Sequence, residues 1–207
     1  MAVANYHDTY GSFPPAYIAD EAGKPMHSWR VLLLPFLEQR ELYEQYDFRE
    51  PWDGPNNRKL LSKRPSLYAF HGTEREESTT TNYLAVVGDE TVWPGKQSLH
   101  MASIGDDPAR TILVVENEGA DIAWTEPRDL DFASMNMEVA AGATDGISSR
   151  FSQPAVVTAA GYVHTLASGL SPQTLRALLT ASGGEHVAVD EHLKEVPDAR
   201  NRPRNEP

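Results

Sequence analysis

The chain contains no cysteine. That absence removes disulfides, thiolate nucleophiles and cysteine-ligated zinc together, and it leaves the redox compartment open. At 207 residues and 40% hydrophobic content, the chain can still bury a substantial core. Long apolar runs are missing as well. The longest, Val31-Leu-Leu-Leu-Pro-Phe-Leu37, falls far short of the roughly 20 residues that span a bilayer. The expectation is therefore no membrane span in this chain, and no charged segment followed by an apolar one reads as a signal peptide. Positive charge is scarce too: 18 Lys and Arg against 30 Asp and Glu give a formal net charge of −12. Such a field repels phosphate backbones and anionic lipid, so nucleic acid is not an expected partner, whereas cations and basic partners are accommodated.

Motifs that announce an activity are also absent. There is no GxGxxG or GxxxxGK[ST] to cradle a phosphate, no HExxH to hold a metal, and no GxSxG to present a nucleophile. No internal repeat or heptad pattern is present.

What is present reads as one α+β domain over 1–193 with a disordered tail over 194–207. Met1 to Tyr6 look like the last turns of a helix whose beginning is missing, because isolated helices shorter than about 12 residues are marginal. Gly11 supplies the left-handed helix stop, and Pro14-Pro15 force extended backbone after it. Ser28 caps a helix through Trp29, Leu32, Leu33 and Phe36 that Pro35 divides, and Glu38 to Tyr46 forms a second helical piece. Asn56 or Asn57 caps a short helix over Arg58 to Leu61. Strands are expected over Thr79 to Val87, Thr111 to Val115 and Ile122 to Trp124. Ala155 to Thr158 and Tyr162 to Leu166 form a hairpin turning at Ala159-Ala160-Gly161. The clearest helix follows Ser171-Pro172, carries Leu175, Leu178 and Leu179 on one stripe and ends at Gly183-Gly184.

Three sets of residues could carry chemistry. His7-Asp8 has the makings of a base and its orienter, although its bland reading is a last helical turn whose tyrosines, Tyr6 and Tyr10, bury against a sheet. His186, Asp190 and His192 would share a face if Glu185 to His192 were a strand, but no third anchor for a metal is visible. Glu126, Asp129, Asp131 and Asp145 offer oxygen ligands for calcium, weighed against ordinary solvated charge, and the EF-hand pattern is absent. Tryptophans 29, 52, 93 and 124 could offer stacking faces to a glycan, or could anchor the core and loops.

Several segments taken in order, "NYHDTYGSFPPAY", "SWRVLLLPFLEQRELYEQYDFREPWDGPNNRKLL", "TNYLAVVG", "ARTILVVENEGADIAWTEPRDLDF", "DGISS" and "LSPQTLRALLTASGGE", carry a family resemblance. Over roughly residues 2–187 the chain resembles a bacterial domain-of-unknown-function family whose members begin with a prepilin-type cleavage and methylation segment and look like type II secretion pseudopilins. The resemblance implies a pilin-like fold, in which an N-terminal helix packs on an antiparallel sheet with additional short helices and long loops. It also implies an extracytoplasmic, envelope-associated life and a membrane-inserted helix ahead of the globular head. On that reading the first helix here is cut short, either by a truncated start or by loss of an anchor. Three departures stand out. The family's His-x-Gly-Gly is replaced by Arg150-Phe151-Ser152-Gln153, its Asp-Gly turn by Ala160-Gly161, and a cysteine common near Tyr68 to His71 is missing.

The expected function is non-enzymatic: a structural or surface-assembly protein resembling a pseudopilin head, with no catalytic, cofactor-binding or metal residue assigned. Without the upstream helix, an apolar groove should remain on the head and be filled by self-association or a partner helix. The competing expectations are an extracytoplasmic module for a small ligand or glycan and, third, a hydrolase.

Overall fold

The computed structural model describes residues 2–70, 72–73, 78–184, 192–195, 202 and 204. Its body is a six-stranded sheet. The strands run in the order β5 (Leu130–Asp131), β3 (Tyr83–Val87), β4 (Ile112–Glu116), β6 (Ala155–Thr158), β7 (Val163–Leu166) and β8 (Leu193–Glu195). Every neighbouring pair is antiparallel except β3 and β5, which run parallel. A separate antiparallel ribbon pairs β1 (Tyr17–Ala19) with β2 (Pro25–Ser28). With its helices the molecule is an α+β fold.

The centre of the sheet is β4, and all five of its residues are buried. Alternation along β3 divides the core in two: Leu84 and Val86 face one side, Ala85 the other. On β4 the alternation breaks, because a register shift between Ile112 and Val114 leaves Leu113 without a Cα partner on β6. An extra residue of this kind lets neighbouring side chains share a face. Leu113 and Val114 therefore lie in the same cluster, while Ile112 and Val115 lie in the opposite one.

One face of the sheet is covered by α4 (Pro172–Leu179), whose Leu175, Leu178 and Leu179 pack on Leu84, Val115 and Val156. The start of α4 is fixed as its sequence indicates, with Ser171 Oγ accepting from the Thr174 amide at 3.1 Å and Pro172 entering the first turn. The other face meets the N-terminal third of the chain: α1 (Ala2–Tyr10), α2 (Trp29–Leu32) and the 3-10 turn Leu34–Leu37 that Pro35 opens. Ser28 caps α2 by accepting from the Arg30 amide. Beyond it, α3 (Arg40–Gln45) packs Leu42 into a third cluster with Val31, Leu34, Leu60, Tyr68 and Trp124. At the end of α1, Gly11 has φ of 77° and its amide donates to the His7 carbonyl at 2.7 Å, which closes the helix where the sequence placed its stop.

Several elements differ from expectation. Ile122 to Trp124 is no strand: Ala123 makes one isolated bridge to Thr80, and Trp124 is buried for its own sake, its indole donating to the Leu61 carbonyl at 3.0 Å. The segment after Asn56 is a 3-10 helix over Asn57–Lys63 without a side-chain cap. Asn57 instead ties the preceding loop together, donating to the carbonyls of Asp47 and Pro51. On α1, Tyr6 is half-buried, but Tyr10 is 63% exposed and packs at a tilt on Tyr6 with centroids 4.5 Å apart rather than burying against the sheet. Within 194–207, Lys194 and Glu195 belong to β8, and Arg202 and Arg204 are held against the body. The rest of that range lies outside the described residues, as do His71, His186 and Asp190.

Candidate functional site

The second face of the sheet is not fully covered. Between α1 and the strands lies an apolar groove of about 440 Å³. Its floor is Leu113 and Val114 of β4 with Val157 of β6, and one wall is Trp29, Leu33 and the small residues Ala2 and Ala4 of α1. The floor is apolar because the facing positions of β4 and β6 are aliphatic. The rim is apolar as well, since Leu67 and Val163 are 58% and 48% exposed. At one end stands Arg202, paired with Glu116.

Beneath the groove's wall is the best-connected polar group of the interior. Arg30, fully buried, donates through Nη1 to Asp129 Oδ1 at 2.6 Å, through Nη2 to the carbonyls of Glu126 and Arg128, and through Nε to the carbonyl of Trp124. Asp129 also accepts from the Trp29 indole and the Ala85 amide. Burial pushes the Asp129 carboxyl above its ordinary range, and Arg30, Ala85 and Trp29 pull against that. This cluster pins α2 and the loop before β5 to the edge of β3. Tyr68 completes it from the other side, its hydroxyl donating to the Arg30 carbonyl at 2.6 Å, and burial raises that phenol.

The described residues singled out in the sequence lie at separate places in the fold. His7 Nδ1 lies 3.8 Å from Asp8 Oδ1, but the Asp8 side chain is 81% exposed. The other ring nitrogen of His7 accepts from the Met101 amide at 3.4 Å while the ring packs on Phe13. The pair thus sits where α1 meets the following loop. The four acidic residues are engaged separately: Glu126 with Arg128, Asp129 with Arg30, Asp131 with the Ser134 hydroxyl, and Asp145 exposed to solvent. Among the described residues no three metal-ligating side chains gather. His192 is half-buried, and its carbonyl accepts from the Ala167 amide. Trp29, Trp93 and Trp124 are buried, each with its indole hydrogen-bonded inside, and Trp52 is half-buried. Ala160 lies in the β6–β7 turn beside Gly161, whose φ of 85° is the left-handed geometry that glycine adopts freely. The Arg150 to Gln153 stretch borders Glu116, where Ser149 Oγ and the Ala155 amide donate to the carboxylate at 2.7 and 2.8 Å.

The sequence pointed to an apolar groove but not to the ion pair at one end of it. Glu116 and Arg202 are 86 positions apart. The only local signal was a carboxylate closing an otherwise aliphatic strand, Ile-Leu-Val-Val-Glu.

The fold and groove define an α+β protein with an open hydrophobic groove on one face of its sheet. Residues 1–76 match the model of a family described as "Protein of unknown function (DUF1559)". That span contains α1, α2 and Leu67, the wall and part of the rim of the groove, whereas the sheet that forms its floor lies beyond it. No curated protein and no solved structure matches the chain.

Proposed function

We propose that the protein is a non-enzymatic assembly subunit of the cell envelope, a pseudopilin-like head with a pilin-like arrangement of helix on sheet, whose groove takes up an apolar helix from a partner protein. The observation that carries this reading is the groove itself, about 440 Å³ with apolar floor, wall and rim. Helix-in-groove recognition places residues at i, i+3, i+4 and i+7 into such a surface. A net charge of −12 disfavours a second copy of the same chain and favours a helix with basic flanks. The burial of Trp93 and Trp124, each with its indole hydrogen-bonded inside, weighs against glycan stacking.

The test uses a synthetic amphipathic peptide, leucine on one face and lysine at both ends, with Trp29 fluorescence as the readout because that indole lines the groove. Saturable binding is expected, lost in Leu67→Glu and Val163→Glu, whose exposed positions leave the core untouched. A glutamate-flanked peptide should bind more weakly. No saturable change with either peptide would overturn the reading, and a dimer seen by light scattering without peptide would give the groove to a second copy.

A further inference from the structure

We propose that Glu116, Ser149, Phe151 and Gln153 form a receptor for an arginine side chain, filled in this fold by Arg202. Glu116 is fully buried at the end of β4. Its carboxylate also accepts from the Ser149 hydroxyl at 2.7 Å and the Ala155 amide at 2.8 Å. Phe151 adds a ring face and Gln153 a backbone carbonyl. All of these groups belong to residues 116–155.

Arg202 matches it in shape. Nη1 and Nη2 each donate to one oxygen of Glu116 at 2.8 Å, Nη2 also donates to the Gln153 carbonyl at 2.6 Å, and the guanidinium carbon lies 4.2 Å from the centre of the Phe151 ring. A planar fork that pairs with a carboxylate on its edge and stacks on an aromatic through its face is a property of guanidinium, not of ammonium. The Arg202 side chain is 7% exposed, and two residues on Arg204 bridges the Phe151 backbone, so the seat fastens this part of the chain to the end of the groove. An empty seat would strand a buried carboxylate, so the site demands a cation, and the fork and ring contacts make guanidinium a better fit than ammonium.

Chemical rescue tests the receptor without any groove ligand, so its failure is separable from failure of the helix-docking reading. In the full chain, Arg202→Ala should lower Tm by about 6–12 °C, and millimolar methylguanidinium should restore most of that while methylammonium at equal ionic strength restores little. Arg202→Lys should fall between parent and alanine variant, and it serves if the alanine variant does not fold. Methylguanidinium should do nothing for the double variant Glu116→Gln, Arg202→Ala. An unchanged Tm in Arg202→Ala, equal rescue by the two cations, or rescue that survives loss of the Glu116 carboxylate would each overturn the proposal.

Discussion

His27 shows how one buried side chain sets a pH response. Its ring is 3% exposed, sits among Tyr46 and Phe48, and places Nδ1 2.9 Å from the Tyr46 hydroxyl. Burial lowers its pKa, with the Phe48 backbone opposing weakly. The folded protein therefore holds the ring neutral. Above an unfolded pKa of about 6.5 both states are neutral and the stability is fully present; below it the unfolded chain gains a proton that the fold resists, and stability falls toward the lowered folded pKa. Urea denaturation between pH 7 and pH 5 should show a loss of about 1 kcal/mol per pH unit or less from this group. His27→Gln should flatten that part of the profile. Arg30 makes the larger claim at this scale. Arg30→Met would leave the Asp129 carboxylate buried without its cation and four carbonyls, those of Tyr83, Trp124, Glu126 and Arg128, without this donor. A cost of about 3–5 kcal/mol is expected from equilibrium unfolding, because a single broken buried pair leaves an uncompensated charge. A loss below about 1 kcal/mol would mean that water reaches the pair.

At the scale of elements, what the sequence disclosed depended on how local the cause was. The α4 helix was legible because its cap, its proline and its leucine stripe all lie within a dozen residues, and the β6–β7 hairpin because its turn glycine lies between its own strands. Its stripe also supports a sharp expectation: Leu178→Ala, at 1% exposure in the main cluster, should cost about 2–5 kcal/mol in thermal or urea unfolding. Ser171→Ala should cost only about 1 kcal/mol, since it removes one cap bond. The elements that escaped have non-local causes. The two residues of β5 and the three of β8 acquire strand geometry only by adding to strands made elsewhere, one at each edge of the sheet. Ile122 to Trp124 looked like a strand because apolar composition reports burial, and here the burial is a tryptophan anchored to Leu61. The groove floor could be read from aliphatic strands, but the ion pair at one end could not, because nothing in the sequence ties Glu116 to Arg202.

At the scale of the whole molecule, the charge imbalance and the buried ion pairs make opposite demands on the solvent. Thirty acidic side chains against eighteen basic ones repel one another across the surface, and that repulsion is screened with a Debye length of about 10 Å at 0.1 M salt. The Arg30–Asp129 and Arg202–Glu116 pairs are shielded from the same ions, because none of their side chains is more than 7% exposed. Adding sodium chloride from low ionic strength should therefore raise Tm, with the gain flattening once the Debye length falls below the spacing of surface charges. Calcium offers the discriminating comparison. The acidic residues 126, 129 and 131 are already engaged with Arg128, Arg30 and Ser134. Calcium chloride should then stabilise only as much as its ionic strength and its greater valence allow, without a saturable step. A calorimetric titration with a defined stoichiometry at micromolar calcium would show instead that Asp145 and its neighbours rearrange to hold the ion, and the salt response would have to be divided between screening and binding.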